Sequence, residues 1–129
     1  AESGNLDRIQ IVKGWSENGH AQEKVYDAVW SDDRVPDPQT GKLPAVGDTV
    51  NLETLEYTND IGAVELQGIW TDPAFNPEHN AFYYLRVIEI PTPRWNLFDA
   101  KKLGIESPPD LKKTIQERAY TSPIWYDHH

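Results

Sequence analysis

The chain has 129 residues, a length that suits a single domain with one hydrophobic core. Its formal net charge of −9 argues against nucleic acid or an anionic membrane surface as a partner, because both bind positively charged surfaces. It has no cysteine, which excludes disulfides, thiolate catalysis and cysteine-based zinc sites, and it has no apolar run of the roughly 18 residues needed to span a bilayer.

The N-terminal part of the chain predicts a β-hairpin. Residues 6–15 alternate between apolar and polar side chains and are rich in β-branched residues, which predicts a strand. Asn18 and Gly19 readily take positive φ angles and so predict a tight turn. Residues 23–30 then form the return strand.

The middle of the chain alternates between loops and predicted strands. Residues 31–44 and 71–80 are rich in Pro, Asp and Asn, which predicts loops. Residues 46–57, with a bend at Thr54, and residues 63–70 predict two further strands. Residues 81–90 are apolar on both faces, which predicts a central strand in a sheet that is covered on both sides.

The C-terminal part predicts two helices and a last strand. Residues 95–103 predict a short helix that ends at Gly104, and residues 107–118 predict a second helix with Pro and Asp near its start. Residues 120–126 return to β-structure, and Pro123 favours an edge position. The predicted fold is therefore mostly β: a small antiparallel β-sandwich-like domain with two short helices inserted near the C-terminus.

Metal-binding and nucleophilic motifs are nearly absent from the sequence. The histidines lack metalloprotease spacing, and no nucleophile motif or phosphate-binding glycine loop occurs. Asp32, Asp33 and Asp37 fall in one loop and are weak candidates for Ca²⁺, although their spacing matches no EF-hand. A solvated acidic loop is the alternative interpretation.

Aromatic residues are the most suggestive chemical feature. The chain has five Trp and six Tyr, which either form a flat stacking surface for sugars or pack in the core. The sequence leaves both alternatives open. Asp72, in the string Trp70-Thr-Asp-Pro73, is expected to accept a hydrogen bond from the turn that follows it.

Several long strings resemble the C-terminal end of a large bacterial family, domain of unknown function 3604. The resemblance covers roughly residues 5–126. The strings are Leu6-Asp-Arg-Ile-Gln-Ile-Val-Lys-Gly-Trp15, Glu23-Lys-Val-Tyr-Asp27, Trp70-Thr-Asp-Pro73, Ala81-Phe-Tyr-Tyr84, Arg86-Val87, Glu89-Ile-Pro-Thr-Pro-Arg-Trp95, Ile115-Gln-Glu-Arg118 and Thr121-Ser-Pro-Ile-Trp-Tyr126.

The resemblance implies a longer parent protein, of which residues 1–129 are one excised C-terminal β-rich domain. Such parents resemble polymerase-and-histidinol-phosphatase metallohydrolases, with metal ligands in an N-terminal domain. None of those ligand motifs lies in this chain, so the resemblance implies no metal or cofactor here and a divalent metal in the parent. It also implies pairing of residues 81–90 with 120–126, a helical insertion at residues 95–118, and a missing strand upstream of Leu6 that leaves an exposed sheet edge for self-association.

The leading hypothesis is a non-catalytic accessory domain whose partner is the N-terminal domain of a metal-dependent hydrolase. Any residues it lends to substrate positioning are expected to be Asp72, His79, Arg94 and Trp95. A ligand-binding module, for carbohydrate or Ca²⁺, is the alternative, and a self-contained enzyme is the third. The domain is expected to be bacterial and soluble; a cytoplasmic or periplasmic location and the origin of His128-His129, native or tag, stay open.

Overall fold

A computed structural model describes residues 3–105 and 112–128 of the chain. These residues form seven strands and one helix in the order β1 Leu6–Glu17, β2 His20–Trp30, β3 Ala81–Glu89, β4 Thr92–Pro93, α1 Trp95–Leu103, β5 Thr114–Ile115, β6 Arg118–Tyr120 and β7 Ile124–Tyr126. The mostly β class predicted from the sequence is confirmed.

The main sheet is antiparallel, with the strand order β2-β1-β3-β6 and with β7 also paired to β3. Strand β3 is thus central, as predicted, and its predicted pairing with residues 120–126 is confirmed as two short strands, β6 and β7. Pro123 lies between these two strands at the edge of the sheet. Strands β4 and β5 form a separate two-stranded sheet.

The predicted hairpin is confirmed. Asn18 and Gly19 take φ angles of 52° and 77°, and β1 pairs with β2 up to Glu17 and His20 on either side of this turn. The hairpin carries an irregularity after Ile9, where the register shifts by one residue. Both strands are longer than predicted, because their pairing continues through polar, exposed residues up to the turn.

The strands predicted at residues 46–57 and 63–70 are wrong. These segments hold only two isolated bridges, Asn51↔Glu56 and Leu6↔Ala63. Gly47 and Leu55 have φ angles of 100° and 60°, which interrupt an extended backbone. The side chain of Leu55 is nevertheless buried, so the apolar residues here fill the core from loops.

Only one of the two predicted helices is found. Helix α1 ends as predicted at Gly104, whose φ of 69° lets the Ile105 amide donate to the Ala100 carbonyl. The second predicted helix is wrong where it falls on described residues, because β5 and β6 occupy its C-terminal half; its residues 106–111 lie outside the described range. There, pairing of β5 with β4 overrides the local helical pattern.

The main sheet has one covered face and one open face. On the covered face, Trp70 packs against Tyr26 and Tyr83, with ring centroids 5.0 and 6.1 Å apart. The layer over this face is the irregular segment 64–76, so the predicted β-sandwich is not formed by the described residues. The open face carries Phe82 and Trp125 near the hairpin turn, where Trp125 is largely exposed, whereas Ile88 on the same face is buried at the other end of β3.

The core lies at the end of β3 and under the central strands. Ile90 and Val12 are its most deeply buried large side chains. The remaining buried apolar side chains are Ile11, Leu43, Leu55, Ala81, Ile88 and Leu97. Within the described residues, no helix has the length and apolar character that crossing a membrane requires.

Candidate functional site

Asp72, one of the predicted substrate-positioning residues, lies in a buried charged cluster on the covered face. Its Oδ2 atom lies 2.6 Å from Lys13 Nζ and accepts a 2.6 Å hydrogen bond from the Tyr83 hydroxyl. Its Oδ1 atom accepts from the Ala74 amide at 2.8 Å, which confirms the predicted bond to the following turn. Lys13 also donates to the Ala74 carbonyl. Both oxygens of the carboxylate are therefore already paired.

The cluster also sets the protonation of its members. Burial acts to raise the pKa of Asp72, but the hydrogen bonds from Lys13, Tyr83 and Ala74 outweigh it and hold that pKa below its ordinary value. Burial and then the bond to Asp72 raise the pKa of the Tyr83 phenol above its ordinary value. A carboxylate kept ionised and a phenol kept protonated suit a fixed structural contact.

The other three predicted positioning residues do not join Asp72. His79 lies in the loop before β3, where its backbone amide donates to the Asn76 carbonyl. Arg94 and Trp95 follow β3 at its other end and begin α1. A nine-residue strand is about 26 Å long, so the two pairs flank opposite ends of β3 and do not line one pocket.

Two of the three aspartates proposed for Ca²⁺, Asp32 and Asp37, hold their loops through hydrogen bonds. Asp32 accepts a hydrogen bond from the Gly62 amide at 2.6 Å, and Asp37 accepts one from the Gln39 amide at 2.7 Å. Across residues 3–105 and 112–128, no three His, Cys, Asp or Glu side chains are grouped so that they could hold a metal ion. The loop geometry therefore gives the calcium hypothesis no support.

A second buried charge, Asp7 on β1, was missed by sequence reasoning. Its Oδ1 atom lies 2.6 Å from Arg34 Nη2, and its Oδ2 atom accepts from Gln116 Nε2 at 2.8 Å. This carboxylate thus ties two distant segments to the first strand. A charged residue near the start of an alternating strand is a weak signal, because such a residue usually faces solvent.

A hollow of about 590 Å³ lies on the open face at the end of the sheet near the hairpin turn. Its floor includes Gly14, which pairs with Phe82 on β3. The Phe82 ring lies 5.3 Å from the Trp125 ring at an interplanar angle of 47°. The full lining is Gly14, Trp15, Ser16, Ala21, Gln22, Glu23, Asn80, Ala81, Phe82, Trp125 and Asp127.

A separate apolar surface lies on α1, beyond the opposite end of β3. We call it the α1 surface; its members are Trp95, Phe98 and Leu103, and about half or more of each side chain is exposed. Trp95 is the most exposed of them, at 73%. The opposite side of the helix is anchored, because Leu97 is buried and Lys101 Nζ donates to the Glu53 carbonyl.

The fold and the two surfaces define an antiparallel β protein without a convergent catalytic cluster in its described residues. The family model described as Protein of unknown function (DUF3604) matches residues 1–128, so the chain belongs to this family. The family predicted from the sequence strings is thereby confirmed. No curated protein matches the chain, and neither does any solved structure.

Proposed function

We propose that this chain is a non-catalytic accessory domain that docks, through the α1 surface, against the catalytic domain of a metal-dependent hydrolase in the same polypeptide. The observation that carries this proposal is the exposure of Trp95, Phe98 and Leu103 on one anchored helix. Large apolar side chains that stay exposed on one element often mark interaction sites in soluble proteins.

The geometry of α1 supports a docking role. Trp95 and Phe98 are three residues apart and so lie on neighbouring positions of the helix surface, away from the buried Leu97. Because Leu97 and Lys101 hold the helix against the 51–56 loop, the outward side chains are presented on a fixed support. A preorganised apolar surface loses less conformational entropy when a partner covers it.

The arrangement of polar groups supports a non-catalytic role. Asp72 is fully engaged by Lys13 and Tyr83, and Arg94 lies beyond the far end of β3 from it. General acid–base catalysis needs groups within hydrogen-bond reach of one substrate atom. The four candidate positioning residues do not meet that condition.

The hydrolase part of the proposal rests on the resemblance of the family's longer members to polymerase-and-histidinol-phosphatase metallohydrolases. In this proposal the divalent metal is held by the catalytic domain. The accessory domain contributes packing against that domain.

The first experiment compares metal content and turnover in two purified proteins: the longer polypeptide and the chain of residues 1–129. Both are analysed for bound metals and assayed with a panel of phosphate and carboxylate esters. We expect metal and turnover in the longer polypeptide alone. If the purified chain of residues 1–129 turns over any of these substrates, the non-catalytic assignment is overturned.

The second experiment tests the α1 surface in the longer polypeptide. We compare Trp95→Ser combined with Phe98→Ser against Trp125→Ser, because Trp125 is a similarly exposed indole on another part of the domain. We expect the double variant to split thermal unfolding into two transitions and to expose the domain junction to protease. The same behaviour in Trp125→Ser, or none in the double variant, would contradict docking through α1.

A further inference from the structure

We propose that the hollow between Phe82 and Trp125 is a binding site for a neutral saccharide. We call it the Trp125 hollow. It lies at the end of β3 opposite to α1, so this proposal is independent of the docking role.

The floor of the hollow exists because position 14 has no side chain. Gly14 lies opposite Phe82 in the β1–β3 ladder. A Cβ atom at Gly14 would lie only 2.3 Å from two atoms of the Phe82 ring, so the ring rests directly on the β1 backbone. This close approach lowers one part of the open face and leaves a volume of about 590 Å³ above it, within the ~300–1,000 Å³ typical of small-molecule sites.

The aromatic wall of the hollow is presented to solvent. Trp125 is 67% exposed, although it sits on a paired strand and contacts Phe82. Trp side chains usually bury most of their apolar area in a core. The indole contacts Phe82, and most of its remaining surface is exposed to solvent. It therefore offers a flat surface for the apolar C–H face of a sugar ring.

Polar side chains surround this aromatic wall. Glu23 comes from β2 and lies opposite Gly14, Asn80 precedes β3, and Asp127 follows β7. Within the described part of the chain, the side chains of Glu23 and Asp127 make no hydrogen bond or ion pair. Asn80 accepts a hydrogen bond from the His128 amide through Oδ1, which fixes its orientation. Amides and carboxylates are the groups that hydrogen-bond sugar hydroxyls.

The charge of the lining selects among ligand classes. Two carboxylates, Glu23 and Asp127, face the hollow, and no Lys or Arg lines it. An anionic ligand is disfavoured because like charges repel. A quaternary ammonium ligand needs aromatic faces on several sides. Trp15 lies opposite Ala81 and points to the covered face with Lys13, so it offers no further ring to a ligand in the hollow. A neutral polyhydroxy ligand therefore fits the lining best.

The test is an NMR titration of the ¹⁵N-labelled chain with maltose, cellobiose, xylobiose, lactose and mannobiose, with choline and sulfate as charged probes. We expect saturable shifts of the Gly14 amide and the Trp125 indole N–H with at least one disaccharide, and none with sulfate. Absence of saturation with every disaccharide would overturn the proposal. Saturation with choline alone would identify a cation site and would overturn it as well.

Variants assign the binding to named side chains. We expect Trp125→Ala to weaken binding of the responding disaccharide by at least about tenfold and Glu23→Gln to weaken it several-fold. Trp95→Ala and Asp99→Asn on α1 are the matched aromatic and charge controls and should leave binding unchanged. Thermal unfolding of each variant checks that it is folded. Equal losses in Trp125→Ala and Trp95→Ala would overturn the assignment to the hollow.

Discussion

Lys13 Nζ and Asp72 Oδ2 lie 2.6 Å apart, with side-chain exposures of only 5% and 7%, although the two residues are far apart in the sequence. The pair fastens the irregular 64–76 segment to the covered face of the sheet. Removing one member of such a pair leaves the other charge buried without a partner. The resulting loss of stability is larger than the net stabilisation that the intact pair provides.

We predict that Asp72→Asn lowers the free energy of unfolding at pH 7 by about 2–3 kcal/mol, because Lys13 loses its counter-charge. Urea denaturation followed by tryptophan fluorescence measures this change. Asp33→Asn is the control: Asp33 is exposed, has no side-chain hydrogen bond among the described residues, and takes a φ of 47° that Asn tolerates. We expect the control to change stability by less than about 0.5 kcal/mol. Equal effects of the two substitutions would contradict the prediction.

The Lys13–Asp72 pair also predicts that the stability of the fold decreases in acid. Because the pKa of Asp72 is lowered in the folded chain, the unfolded chain takes up this proton first as the pH falls. The stabilisation is therefore complete above about pH 5 and is lost as the pH falls below about 4. We expect the stability difference between the unmodified chain and Asp72→Asn to shrink below about pH 4. A difference that instead grows on acidification would show that the sign is wrong.

Tyr83 predicts that stability is lost at alkaline pH. Burial and the bond to Asp72 raise the pKa of its phenol in the folded chain, so the unfolded chain ionises first as the pH rises. The resulting stabilisation is complete below about pH 10 and is lost above it. We expect Tyr83→Phe to cost about 1–2 kcal/mol at pH 7 and progressively less above about pH 10, measured by urea denaturation across this range. A constant cost across that range would refute the prediction.

Gly62 predicts a steric effect that can be separated from backbone strain. Its φ is 77°, and a Cβ atom there would lie 2.6 Å from Ile90 Cγ2 and 3.0 Å from the Leu6 carbonyl. Gly41 has a similar φ of 71° but no atom within 4 Å of the corresponding position. We expect Gly41→Ala to cost about 1 kcal/mol and Gly62→Ala about 2 kcal/mol more in thermal or urea unfolding. Equal costs would contradict the prediction and would mean that Ile90 and the Leu6 carbonyl shift to make room for the methyl group.

Arg34 predicts that the shape of a cation matters as well as its charge. Its guanidinium donates to the carbonyls of Asp7, Ser31 and Pro44 and pairs with the Asp7 carboxylate. A lysine ammonium cannot span these acceptors. We expect Arg34→Lys to cost about 2 kcal/mol in chemical unfolding. Arg118→Lys should be nearly neutral, because that side chain is exposed and makes no hydrogen bond within the described residues. A neutral Arg34→Lys would contradict this account.

The features that the sequence predicts well are those encoded by neighbouring residues. The positive φ preference of Asn18-Gly19 places the hairpin, and the αL preference of Gly104 ends α1. Asp72 caps its own turn through Ala74, as its position before Pro73 predicts. In each case a few adjacent side chains determine the local backbone.

The features that the sequence does not predict depend on distant partners. Apolar alternation at residues 46–57 predicts a strand, yet Leu55 takes a positive φ and fills the core from a loop. Nothing near Lys13 in the sequence points to Asp72, and nothing near Asp7 points to Gln116. The Trp125 hollow needs Gly14, Phe82 and Trp125 together, so five Trp in the composition could not distinguish a solvent-exposed ring from a buried one.

The division of the outer partner of β3 into two three-residue strands has a consequence for aggregation. Pro123 has no N–H group to offer a neighbouring chain, and β6 and β7 each present too short a run of backbone to template another strand. On the other side of the sheet, β2 runs for eleven residues. The sheet can therefore be extended by another molecule from one side only. A strand from another molecule would pair with β2, and the β6/β7 side would not accept a further strand.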